Sequence, residues 1–212
     1  MSKAVLISIR PKWCELIASG KKTIEVRKSR PKMEPPFKCY IYCTKPSKAH
    51  QTICGCMVLN SDELYRHPRE GIKYGDSIEL MAEDDYTADN FLNGKVIGEF
   101  MCDGIAEIKY EQYDAVDDAP DDGFYQWWDA PGDWPLQINS GSCLTHDEWQ
   151  TYLGKKGGYA WHISSPKIYD EPKALSDFRL YNTSAVIEHG LPMPTHEIKR
   201  PPQSWCYVRC AP

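Results

Sequence analysis

Between Gly20 and Lys28 the chain reads GKKTIEVRK, with three lysines, one arginine and one glutamate in nine residues. The alternation from Thr23 to Lys28 is that of a strand. Ile24 and Val26 point to one side, and Thr23, Glu25 and Arg27 to the other. A carboxylate and a guanidinium two residues apart then share a face, and Lys22 sits at the strand's entry. Arg27 offers a planar fork to a phosphate, and Lys22 a mobile point charge. Glu25 could orient Arg27, or accept from the exocyclic amino group of a base such as cytosine. Arg10 and Lys12, just upstream, add cations to the same candidate site, and Thr23 adds a hydroxyl. If the protein is an enzyme, Lys22 and Glu25 are the candidate catalytic pair. Glu25 would activate water as a general base, and Lys22 would stabilise an oxyanion.

Other chemistries find less support. The six histidines, His50, His67, His146, His162, His189 and His196, form no recognisable pair in the sequence. Nine cysteines are present, an odd number, with no CxxC spacing and no secretion signal. They are expected as reduced thiols, with no metal site and no cofactor. Cys14, beside Trp13, reads as a buried thiol. No apolar run approaches the ~20 residues that span a bilayer, and MSKAVLISIRPKW is too short and wrongly flanked for a signal peptide. A cytoplasmic protein with no membrane partner is expected.

Charge is unevenly placed. Residues 1–50 carry 12 Lys and Arg against 3 Asp and Glu, a balance of +9. The remainder carries 13 against 27, a balance of −14, and the two sum to the net −5. Bulk attraction to nucleic acid is therefore excluded, while a local basic region that includes GKKTIEVRK is retained. Stacking of single-stranded bases would also need aromatic rings. Tyr40, Tyr42, Trp127, Trp128 and Trp161 are the candidates.

The elements that must position these residues are legible in part. Ala4 to Ile9 reads as a strand. Pro11 to Ser19 reads as a short helix, with Pro11 in the first turn and Gly20 as its stop. Lys38 to Thr44 and Ile53 to Leu59 read as further strands. Asn60 to Asn93 reads as a polar insertion with one strand at Ser77 to Met81. Lys95 to Ile108 is apolar and β-like, with a break expected at Asp103-Gly104. DAVDDAPDDGFYQWWDAPGDWP, from Asp114 to Pro135, reads as a long acidic loop with an aromatic patch. Thr145 to Gly154 reads as a helix opened by a Thr145/Glu148 capping box, with Leu144 stapled to Trp149. Trp149, Tyr152 and Leu153 should supply its buried face. A strand from Tyr159 to Ser164 and an edge strand near Ile168 to Asp170 follow. Helix is the minority, so an α+β or mainly-β small barrel with insertions is expected.

Gly20-x-Lys22-x-x-Glu25-x-Arg27 resembles the GxKxxExR signature of ASCH domains, which belong to the PUA-like group. VLISIRPKWCELIASG is similar to that family's first strand and helix, and KVIGEFMCDGI to its central strand. CLTHDEWQTYLGKKGGYAWHISSPKIYDEPKALSDF is similar to its late helix and closing strands. The combination resembles ASCH proteins of bacteria and their phages.

The resemblance implies an α+β fold, a PUA-like mixed β pseudo-barrel with short flanking helices and insertions. It implies one domain over residues 1–180, with insertions at about 60–94 and 112–143, and a Pro-rich extension over 181–212 packed on the same domain. It also implies binding of RNA, or of a nucleotide or nucleoside, in a cleft around the motif. The alternatives are a metal-independent hydrolase of modified nucleosides, acting like an N(4)-acylcytidine amidohydrolase, or a ribonuclease. In the amidohydrolase members a threonine stands where this chain has Glu25, so the hydroxyl nucleophile is missing here. A second alternative is a phage or host protein-interaction module that uses the acidic aromatic loop.

Overall fold

The structure, a computed structural model, describes residues 2–44, 94–112, 123–128, 134–181 and 197–210. The strands expected at Ile53 to Leu59 and Ser77 to Met81 lie outside the described residues, as does nearly all of the 60–94 insertion. Among the described residues the chain forms one mixed sheet of seven strands with a few short helices, the α+β class expected from the sequence. The strands are β1 (Lys3–Ile9), β2 (Ile24–Arg27), β3 (Phe37–Cys43), β4 (Val96–Gln112), β5 (Gly123–Trp128), β6 (Gly158–Lys173) and β7 (Trp205–Arg209). The helices are α1 (Pro11–Ala18), α2 (Trp134–Ser142) and α3 (His146–Leu153). Hydrogen bonding runs in the order β2-β6-β4-β3-β1-β7, with β5 added to β4.

The described residues fall into two compact units. The first takes residues 2–20, 38–44, 94–100, 165–181 and 197–210. Here β1 pairs parallel to β3 and antiparallel to β7. KAVLISI is buried at consecutive positions from Ala4 to Ile9, so both faces of β1 are covered, and Ala4 to Ile7 are fully buried. Ala4 and Leu6 pack with Tyr40, Tyr42, Val96, Phe178, Ile198 and Val208. Helix α1 begins with Pro11, whose fixed φ suits a first turn, and stops at Gly20, where φ is +73°. Within the 181–212 segment, WCYVR forms β7 on β1.

The second unit takes residues 21–37, 101–112, 123–128 and 134–164. Strand β2 pairs antiparallel with β6, setting Ile24 opposite His162, Glu25 opposite Trp161 and Arg27 opposite Tyr159. Ile24, Val26 and Ala160 pack with Ala106, Ile108, Ile138, Trp149 and Leu153. The capping box is formed: the Thr145 hydroxyl accepts from the Glu148 N–H at 3.2 Å, and the Glu148 carboxylate accepts from the Thr145 N–H at 3.0 Å. Leu144 packs against the cluster that contains Trp149.

Four expectations need correction. Strand β4 does not break at Asp103-Gly104. Cys102, Gly104 and Ala106 are buried while Asp103 faces out, so the period-2 pattern runs straight through. Residues 123–128 are not loop: GFYQWW pairs with β4 from Gln112–Gly123 to Glu107–Trp128. Aromatic residues favour a pleated surface, and the flanking Asp, Pro and Gly hid that preference. Helix α2 was unexpected, because WPLQINSGS has low helix propensity; it opens with Pro135 in its first turn and is anchored by the buried Ile138. Finally, Tyr159 to Ser164 and Ile168 to Asp170 belong to one strand, β6, which continues past Ser165 (φ +48°) and Pro166.

Candidate functional site

Lys22, Glu25 and Arg27 come together in the second unit, and all three are buried. Their exposures are 3 %, 5 % and 7 %. The Arg27 Nε lies 2.9 Å from Glu25 Oε1, and the Lys22 Nζ lies 3.5 Å from Glu25 Oε2. Lys22 also donates to the carbonyl oxygen of Ser142 at 2.6 Å. The second carboxylate oxygen, Glu25 Oε2, is buried and accepts no hydrogen bond among the described residues. An under-satisfied buried carboxylate between two cations is costly, and such arrangements mark functional sites more often than ordinary surface pairs do.

Local structure sets this geometry. The stop at Gly20 releases the chain from α1, and Thr23 docks β2 onto α2. The Thr23 N–H donates to the Gly141 carbonyl at 2.9 Å, and the Thr23 carbonyl accepts from Ile163 at 2.8 Å. A Cβ on Gly141 would stand 2.4 Å from Thr23 Oγ1, so only glycine allows this approach. The end of α2 then delivers the Ser142 carbonyl to Lys22. Cys143 follows in the left-handed region at φ +56°, its Sγ 3.4 Å from the Lys21 carbonyl.

Burial pushes the Lys22 ammonium down from its ordinary value, and Glu25 opposes that shift only in part. Outward from the cluster, Arg27 meets Tyr152 of α3. The Arg27 side chain and the Lys28 main chain lie close enough to the Tyr152 hydroxyl to favour its ionised form. Burial raises the Tyr152 pKa despite Arg27, which keeps the phenol protonated at neutral pH. The Lys28 Nζ lies 5.3 Å from the Tyr152 ring centroid.

The other residues expected at the site are placed differently. Arg10 and Lys12 belong to the first unit and are exposed, Arg10 at the start of α1 and Lys12 with its Nζ 4.3 Å from the Trp13 ring. Tyr40, Tyr42 and Trp161 are buried at 1 %, 3 % and 0 % exposure, so none offers an open ring for stacking. Trp161 meets Phe37 edge to face at 6.0 Å. The backbone of Trp127 and Trp128 is in β5, and their side chains lie outside the description. Cys14 is buried, as expected, and the described cysteines are thiols.

Sequence reasoning missed three participants. Ser142 contributes only its carbonyl, which no residue-type pattern can reveal. Tyr152 was assigned to the buried face of α3, but it is 36 % exposed, while Trp149 and Leu153 carry that face at 3 % each. The i, i+4 spacing of Trp149 and Leu153 was the available signal. His162, for which the sequence shows no recognisable pair, has its Nδ1 2.6 Å from Asp103 Oδ1, 59 residues away in sequence. Burial opposes ionisation of Asp103, but bonds from His162 and Ser164 outweigh it and hold its pKa low. Among the described residues, no cluster of three or more His, Cys, Asp or Glu could hold a metal ion. Nor, among them, is any helix long and apolar enough to cross a membrane.

The fold and the site define an α+β protein with a mixed sheet, whose second strand and the turn before it carry a buried Lys-Glu-Arg cluster. The ASCH domain family model matches residues 7–130, more than half of the chain, and the protein belongs to that family. Solved structures that match include the ASCH protein of Zymomonas mobilis, at 15 % identity and a TM-score of 0.48, over 97 % of this chain and 87 % of that one. Two single-substitution variants of the same Zymomonas mobilis protein also match. One has 16 % identity and a TM-score of 0.47, covering 98 % and 91 % of the two chains. The other has 15 % and 0.44, covering 97 % and 88 %. No curated protein matches the sequence.

Proposed function

We propose that this ASCH protein binds RNA, or a nucleotide-sized part of it, at the Lys22–Glu25–Arg27 cluster. The observation that carries the reading is Glu25 Oε2, a buried acceptor with no hydrogen bond, held between two cations. An exocyclic amino group supplies the missing donor, and a phosphate beside it meets Arg27 and Lys22. The basic balance of residues 1–50 supports the same ligand, with Arg10, Lys12 and Thr23 as further candidate contacts. In this reading residues 1–180 form one ASCH domain, the 181–212 segment packs on it, and the protein works in the cytoplasm.

The test is binding of a labelled single-stranded RNA oligonucleotide across a salt series. Wild type should bind most tightly at low salt, and affinity should fall as salt rises. Lys22→Ala/Arg27→Ala should abolish binding, with circular dichroism checking that the variant is folded. No binding by wild type at any salt overturns the reading.

A hydrolase of modified nucleosides is the second reading, and the lowered Lys22 pKa favours it. A lysine pushed towards the neutral amine can take a proton, and Glu25 can direct water. Turnover of N(4)-acetylcytidine that is lost in Glu25→Gln supports this reading; no turnover by wild type sinks it.

A further inference from the structure

Only two large apolar side chains among the described residues reach 36 % exposure, Leu180 and Tyr152. Leu180 sits in a backbone bridge with Val208 in the first unit. Tyr152 stands over the charged cluster.

One end of its ring faces Arg27. The hydroxyl lies close enough to the Arg27 guanidinium and the Lys28 main chain for both to pull its pKa down against burial. Trp149 and Leu153, on the same helix, are locked in the core at 3 % exposure each and fix α3 beneath it. The exposed part of the ring is therefore carried on a fixed helix. Stacking a base on such a ring gives up little side-chain freedom.

The ring surface is also open to a charged group. Lys28 is exposed, and its Nζ sits 5.3 Å from the ring centroid, a loose cation–π distance. A long flexible lysine at that distance is readily displaced. A nucleotide brings both a flat base for the ring and a phosphate for the displaced ammonium.

We propose that Tyr152 is the outer wall of the site, stacking one base of single-stranded RNA while Lys28 moves from the ring to that nucleotide's phosphate. This rests on the RNA reading above and adds to it a residue outside the GxKxxExR motif. The ring face carries the effect.

Fluorescence anisotropy with a single-stranded RNA and an abasic ribose-phosphate oligomer of equal length tests the proposal. Wild type and Tyr152→Phe should bind the RNA within about twofold of each other. Tyr152→Leu should bind it roughly tenfold more weakly, the loss of one stacked base. All three should bind the abasic oligomer equally. Lys28→Ala should flatten the salt slope by about one charge. Should Tyr152→Leu fail to fold, Tyr152→Gln takes its place.

Equal RNA binding by wild type and Tyr152→Leu overturns the proposal. So does a Tyr152→Phe loss as large as that of Tyr152→Leu, which would mean that the hydroxyl and not the ring face is what matters. An equal loss on the abasic oligomer also overturns it. If Lys22→Ala/Arg27→Ala loses RNA while Tyr152→Leu does not, the cluster reading stands and the stacking wall falls. If wild type binds no RNA, both fall.

Discussion

The Lys22 ammonium and the Ser142 carbonyl are joined at 2.6 Å across 120 residues of sequence. That bond ties the entry of β2 to the end of α2, and Gly141 lets the two come close enough to make it. A methyl group at position 141 would stand 2.4 Å from Thr23 Oγ1 and 3.0 Å from Ile24 Cγ1. Gly141→Ala is therefore expected to push α2 off β2 and destabilise the fold by about 1–3 kcal/mol. Urea unfolding measures the loss. A variant as stable as wild type would show that this approach is not tight.

Removing the carboxylate alone should cost more than removing it together with one of its cations. Lys22→Met leaves Glu25 paired with Arg27, in a site where all three side chains are at least nine-tenths buried. Glu25→Gln instead strands two cations, and leaving a buried charge without its partner costs about 3–5 kcal/mol. Lys22→Met/Glu25→Gln should recover part of that loss, because one of the two stranded charges is gone. A double-mutant cycle read by urea unfolding gives a non-zero coupling if the pair acts as a unit, and simple additivity if it does not.

The motif and its local frame were legible because they are written in short-range patterns. Gly20 as a helix stop, the alternation that puts Glu25 beside Arg27, and Thr145 capping Glu148 are all set by neighbours within a few residues. What sequence could not supply was long-range. Ser142 acts through a backbone carbonyl, and the partner of His162 lies on another strand. The burial of Lys22, Glu25 and Arg27 was also hidden, since a charged strand and a buried charged strand have the same composition. Residues 123–128 show the opposite failure. Six residues of β-forming sequence were outweighed by the acidic, Pro- and Gly-rich stretches around them.

Gly157 sets a second close approach in the same unit. Its φ is +68°, and a Cβ there would stand 2.1 Å from the Ile108 carbonyl oxygen and 3.3 Å from the Lys109 Cα. Both neighbours are main chain of β4 and have no rotamer through which to yield. Gly157→Ala is expected to cost more than Gly141→Ala, whose nearest neighbours are side chains. Backbone strain of about 1–3 kcal/mol adds to the overpacking. Thermal unfolding of the two variants side by side checks the order, and a milder effect at position 157 would contradict it.

Lys38, Glu99 and Tyr169 give the first unit a pH window. The Lys38 Nζ lies 2.8 Å from Glu99 Oε1, and the Tyr169 hydroxyl donates to Glu99 Oε2 at 2.5 Å. Burial alone would raise the Glu99 pKa, but the bonds from Lys38 and Tyr169 and the charge of Lys38 bring it below its ordinary 4.5. Its contribution is thus complete above pH 4.5 and is lost as pH falls through the lower folded value. At the other end, the bond to Glu99 raises Lys38 above its ordinary 10.5. Burial, followed by the Glu99 bond, raises Tyr169 above 10.0. Both of those contributions are complete below the ordinary values and fade as pH climbs past them. Glu99→Gln should therefore lower the melting temperature between pH 5 and 9 and bring the variant and wild-type curves together below about pH 4. All three groups are partly solvated, so the gap should be modest and should shrink in high salt. Parallel melting curves across the whole range would mean that the network contributes nothing that depends on charge.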